Sequence, residues 1–213
     1  MKKPIIATTL SGLLLKQEPW QKAHILWLKN ASEKLNDPSI MEWANRPDYF
    51  KCVDGIMKRL YPTLDETQRV VKAREIYFDS VCQYVKENPK VRNERIIKYL
   101  VSLKDKYRLA LITTNIQSAL EKILDVSHLT DLFDLVQVSL PNEKDDKRIV
   151  FRRFIEQYGK PIIYIGGDRK DSYDYCRENS IKTIFANLEG QEEIEEVESI
   201  HNLKELKAKL KKL

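Results

Sequence analysis

From residue 91 onward, short apolar runs alternate with segments of helical period, and this alternation constrains the fold more than any other feature of the chain. Leu109–Ile112, 135–139, Pro161–Ile165 and Lys182–Phe185 have the length and apolar content of buried strands. Helical segments are expected between and around them, over about 93–105, 116–124, 145–158, 171–179 and 202–211. Ile96, Ile97, Leu100, Val101 and Leu103 supply the apolar face of the first of these. Strands alternating with helices predict a parallel sheet covered on both faces. Residues 4–14 add one more apolar strand and a glycine turn, which makes five strands in an α/β, Rossmann-like architecture.

Residues 18–88 have a different texture. They read as almost continuously helical, broken at Asp37-Pro38, Arg46-Pro47, Tyr61-Pro62 and Asn88-Pro89. Proline disfavours helix at the residue before it and opens new helices well. Apolar residues recur at helical spacing between the breaks, as in Val70, Ala73, Tyr77, Val81 and Tyr84. About four helices are expected, one of them capped by Thr63. The domain division is therefore an α/β core at 1–16 and 89–213, with an α-helical insertion at 17–88.

Composition excludes several classes. The net charge is +5, but Lys and Arg are interleaved with Asp and Glu nearly everywhere, so no nucleic-acid partner is expected. No apolar run is long enough for a transmembrane helix, and no membrane partner is expected. Thr8, Thr9 and Ser11 interrupt the first apolar segment, which reads as a buried strand rather than a signal peptide. Cys52, Cys82 and Cys176 are scattered and form no pairing pattern, which suits a cytoplasmic location. His24, His128 and His201 form no metal cluster with them. Trp20, Trp27 and Trp43 read as helix-packing residues, and Glu192–Glu198 as a solvated face.

In parallel sheets, ligands bind beyond the carboxyl ends of the strands, at the switch in strand order. Thr9, Thr113 and Asp168 each follow an expected strand, so they should line one crevice. The residues at these ends resemble the four motifs of the haloacid dehalogenase-like (HAD) superfamily, in its subgroup with a helical cap after the first strand. The strand and glycine turn ending Thr8-Thr9-Leu10-Ser11-Gly12-Leu13-Leu14 are similar to motif I, hhhhD-x-D-G-T-L. Aligned on Gly12, the nucleophilic aspartate falls on Thr9 and the acid/base aspartate on Ser11. Leu109–Asn115 resembles motif II, whose strand-ending hydroxyl binds phosphate; Thr113 fits best and Thr114 is the alternative. The motif III lysine is Lys144 by first choice and Lys147 by second. Motif IV resembles Gly167-Asp168-Arg169-Lys170-Asp171-Ser172, with its acids on Asp168 and Ser172 or on Gly167 and Asp171.

The resemblance implies a phosphatase-like fold without its usual chemistry. Threonine is a weak nucleophile unless a base activates it, and motif I contains no His or Lys beside Thr9. Ser11 has no useful pKa for proton transfer near neutrality. Mg²⁺ would rely on Asp168, Asp171 and the Ser11 carbonyl, and is expected to bind weakly or not at all. Neutral side chains at Thr9 and Ser11 make the crevice less negative. Lys144 and Lys170, with N–H groups of the Gly12 turn, could then favour an anion. The expectation is a catalytically impaired HAD-like protein that binds a small phosphorylated ligand or a protein partner. The alternative is an active phosphohydrolase that uses altered residues on a small phosphate monoester.

Overall fold

The computed structural model describes residues 3–45, 49–141, 143–167 and 169–213. Six parallel strands form the sheet: β1 (Ile5–Thr8), β2 (Arg108–Ile112), β3 (Leu135–Gln137), β4 (Ile163–Gly166), β5 (Lys182–Ala186) and β6 (Ser199–Ile200). Their spatial order is β3-β2-β1-β4-β5-β6. The sixth strand was not expected. It is two residues long and follows the acidic 192–198 stretch, so it carries no strand periodicity of its own. Its pairing with β5 supplies the definition that the sequence lacks.

The period of two along each strand explains the two-sided core. Ile6, Leu109, Leu111, Ile163, Ile165 and Ile184 face one side. There they meet α4 (Glu94–Val101), α5 (Gln117–Val126) and α8 (Leu203–Leu210). Ile5, Ala7, Ala110, Ile112, Tyr164 and Phe185 face the other. There they meet α6 (Lys147–Tyr158) and α7 (Lys170–Glu178). Phe151, fully buried, lies between the rings of Tyr164 and Tyr175, with centroids 5.0 and 5.3 Å away.

The insertion between β1 and α4 contains α1 (Glu18–Leu35), a 3₁₀ segment (Pro38–Asn45), α2 (Tyr49–Leu60) and α3 (Glu66–Glu87). One expected helix is thus a 3₁₀ segment. The break at Arg46-Pro47 lies outside the described residues, as does the side chain of Trp43. The N-cap of α3 is Asp65 rather than Thr63. Asp65 accepts from Gln68 N at 2.8 Å, and the Gln68 side chain accepts from Asp65 N at 3.0 Å. This reciprocal box satisfies two end groups at once, which Thr63 stands too far upstream to do.

Trp27, Leu28, Ala31, Ile40, Ile56 and Met57 form the insertion's own buried cluster. Ala23, Phe78, Val81 and Val85 join it to the sheet core. Its entry and exit are tied together: Lys16 N donates to Val91 O at 2.8 Å, and Asn93 N to Leu14 O at 2.8 Å. Asn93 Nδ2 adds a bond to Leu13 O at 2.7 Å. Among the described residues, no helix is long and apolar enough to cross a membrane.

Candidate active site

Because β1 lies between β2 and β4, the carboxyl ends of these three strands converge. β1 delivers Thr9, Ser11 and Gly12; β2 delivers Thr113, Thr114 and Asn115; β4 leads through Gly167 to Arg169 and Asp171. The loops after β1 and β4 touch. Gly12 has φ +78°, and a Cβ there would stand 3.1 Å from Gly167 Cα. A Cβ on Gly167 would stand 2.6 Å from the Ser11 carbonyl oxygen, so only glycine fits.

Lys147 is the lysine that reaches this point. It opens α6, is 3 % exposed, and places Nζ 3.5 Å from Thr9 Oγ1. Among the described residues this is its one polar neighbour in hydrogen-bond range. The Tyr164 ring lies 5.7 Å beneath the ammonium. Burial, and then the Arg169 charge, pull its pKa down to about 7. Lys144, the first choice from sequence, is exposed on the preceding loop and does not line the site. Three residues separate the two, Lys144 on the loop and Lys147 at the start of α6, and only the later lysine points back to the end of β1. Motif I itself holds no base beside Thr9. The amine comes from α6, 138 residues away in the chain.

Arg169 organises the other half of the floor. Its Nε and Nη2 bond Asp171 at 3.1 and 2.6 Å. Nη1 bonds Asp145 Oδ1 at 2.8 Å and Thr114 Oγ1 at 3.0 Å. Nη2 also reaches the Asp145 carbonyl at 3.3 Å. Burial acts against both carboxylates, but Arg169 outweighs it and holds Asp145 and Asp171 below the usual range. Thr113, 7 % exposed, accepts from Asn115 N at 3.1 Å. Thr114 is already engaged by Arg169, which leaves Thr113 as the freer strand-end hydroxyl.

Two expected anion donors are not there. Gly12 N–H donates to Leu15 O at 2.8 Å and closes its own turn. Lys170 is exposed and faces a second, smaller hollow with Tyr173 and Asp174. Asp168 lies outside the described residues. Ser172 is fully buried.

Above this floor is a cavity of about 670 Å³. Its roof comes from the insertion: Trp20, Trp27, Met57, Val70, Tyr77 and Phe78, with His24, Arg69 and Arg74 among them. Trp20 and Trp27 therefore line the site as well as pack helices. Their separation of seven residues places both on one face of α1, a signal that periodicity alone assigns to packing. Arg74 closes one side by donating to Glu143 O at 2.7 Å.

A Mg²⁺ ion needs several oxygen ligands in near-octahedral positions. Thr9 and Ser11 offer neutral groups, and Asp171 is gripped through both oxygens by Arg169. Among the described residues, no group of three His, Cys, Asp or Glu is arranged to hold a metal. Among the described residues, then, the donor set does not fit Mg²⁺ while Arg169 holds its place; Asp168, the other expected ligand, lies outside them.

No family model and no curated protein matches the sequence. Solved structures do match its fold. A HAD phosphatase from Thermococcus onnurineus superposes with TM-score 0.65 at 18 % identity, covering 99 % of this chain and 98 % of that one. The HAD-hydrolase YfnB from Bacillus subtilis, bound to magnesium, gives 0.64 at 15 % identity over 99 % and 100 %. The haloacid dehalogenase-like family protein SP0104 from Streptococcus pneumoniae gives 0.59 at 19 % identity over 98 % of both. With its strand order, its insertion after β1 and this likeness along the whole chain, the protein has the fold of the haloacid dehalogenase-like hydrolases.

Proposed function

We propose that the protein binds a small phosphorylated compound in the cavity under a helical cap and does not turn it over by the usual covalent carboxylate route. The observation that carries this reading is Lys147: a buried amine with one long hydrogen bond, aimed at the place where three strands end. Among the described residues no carboxylate bonds this amine, Asp171 and Asp145 acting on it only through space; a buried cation so placed is costly, and an anion in the cavity would relieve it. Thr113 and Asn115 line the same cavity. Thr9 and Ser11 stand where the family has carboxylates, so the nucleophile and the proton shuttle are both replaced by alcohols. The aromatic roof favours a ligand with a flat, largely apolar body on its phosphate. A cavity of this size suits a small molecule better than a protein partner.

One observation favours a second reading, an active phosphohydrolase with altered residues. The Lys147 amine beside Thr9 is pulled down to about 7, so about half of it is neutral near pH 7 and could take the Thr9 proton. The test is a panel of phosphate monoesters, read by thermal shift and by phosphate release. Binding without release is expected. Release lost in both Thr9→Val and Lys147→Met would establish the second reading instead. No thermal shift with any monoester or with inorganic phosphate would refute both.

A further inference from the structure

We propose that the Arg169 guanidinium is the site's own cation: among the described residues it takes up Asp145 and Asp171, the carboxylates that a divalent ion would draw on, so the site accepts an anionic ligand without metal. Arginine has five N–H donors in a rigid planar fork. The five bonds to Asp171, Asp145 and Thr114 use that number in full. The guanidinium therefore ties together the loops after β2, β3 and β4, as a coordinated ion would. Burial acts against its charge, but hydrogen bonds and ion pairs with Asp171 and Asp145 more than offset this and keep it protonated.

The charges divide the labour between the two cations. Arg169 has no donor left over, so it does not grip a ligand directly. Its role is to neutralise carboxylates that would otherwise repel an anion. Among the described residues Lys147 Nζ bonds Thr9 alone, and it is the group that would contact phosphate. The positions also explain why arginine rather than lysine stands at 169. An ammonium has three donors and no plane, and cannot satisfy Asp171 through both oxygens while reaching Asp145 and Thr114.

The statement about the ligand rests on the phosphate-binding reading above; the statement about the cation does not. Mn²⁺ serves as the probe for divalent ions because its paramagnetism reports binding directly. Expected results are no measurable Mn²⁺ binding to the wild type at millimolar concentration and equal affinity for inorganic phosphate in EDTA and in Mg²⁺. Arg169→Met should gain Mn²⁺ binding by freeing Asp171 and Asp145, and the gain should disappear in Arg169→Met with Asp171→Asn. Arg169→Lys, which keeps the charge and guards against loss of fold, should not gain it. Mn²⁺ binding by the wild type, phosphate affinity that rises with Mg²⁺, or no gain in a folded Arg169→Met protein would each overturn the proposal. Phosphate that binds in neither condition would refute the phosphate reading and leave the Mn²⁺ measurements to decide the cation.

Discussion

Replacing Lys147 by methionine should make the protein more stable and less able to bind phosphate. A lysine ammonium ordinarily titrates near 10.5; burial, with the Arg169 charge adding to it, holds this one at about 7. That difference corresponds to roughly 5 kcal/mol against carrying the charge in the fold, at about 1.4 kcal/mol per pH unit. The unfolded chain binds the proton more tightly than the native one, so native stability rises with pH between the two values. The penalty is fully present below about pH 7 and is relieved as pH climbs towards 10.5. Methionine keeps the unbranched length without the charge; among the described residues it loses a long bond to Thr9 and a contact with the Tyr164 ring, together worth about 1 kcal/mol, while the attraction of Asp171 and Asp145 is already contained in that pKa. Lys147→Met should therefore gain about 2–4 kcal/mol at pH 6, or roughly 5–15 °C in Tm for a chain of this size. The gain should shrink to less than ~1 kcal/mol near pH 10. Urea unfolding of both proteins from pH 6 to 10 measures this directly. The same variant should lose at least ~tenfold in phosphate affinity, because a charge-assisted hydrogen bond is removed. A variant less stable than wild type at pH 6, or a stability difference that does not change with pH, would refute the claim that Lys147 is a buried and poorly compensated amine.

Three further outcomes follow from the geometry. On the proposed reading, placing aspartates at both motif I positions with Thr9→Asp and Ser11→Asp should leave the protein silent towards monoesters, because Arg169 still occupies Asp171. Adding Arg169→Met should bring Mg²⁺-dependent phosphate release at least ~tenfold above wild type, and activity in the double variant alone would show that Arg169 is no barrier. Gly167→Ala should cost about 2–4 kcal/mol in a urea titration, since its Cβ would lie 2.6 Å from the Ser11 carbonyl oxygen, a backbone atom with little room to move. Phe151→Ala should cost about 3–5 kcal/mol by the same measurement, because the ring is fully buried between Tyr164 and Tyr175; a loss below about 1 kcal/mol would mean that this face of the sheet is loosely packed.

The large features were legible because their causes are local. Apolar runs such as Leu109–Ile112 must be buried on both faces, and the helical period between them leaves little choice but a parallel sheet. The insertion was legible from prolines and helical spacing. Errors arose where the deciding partner is distant in sequence. β6 is two residues long and is defined by pairing with β5. Gly12 was expected to offer its N–H to an anion, but Leu15 O takes it. Lys144 and Lys147 are both cationic and three residues apart, and nothing local distinguishes them. The direction of the α6 start relative to β1 does, and it buries one and exposes the other.

By itself, then, the sequence determined the α/β class, the place of the helical insertion and the presence of alcohols at Thr9 and Ser11, because hydrophobic periodicity and side-chain identity are properties of the chain before it folds. Only the tertiary structure decided which cations face the site and what they hold. Arg169 meets Thr114 and Asp145 on two other loops and Asp171 in the first turn of its own α7. Lys147 meets Thr9 across the gap between α6 and β1. The properties of both cations come from desolvation and neighbouring charge, which exist only once distant segments have been brought together and water has been excluded.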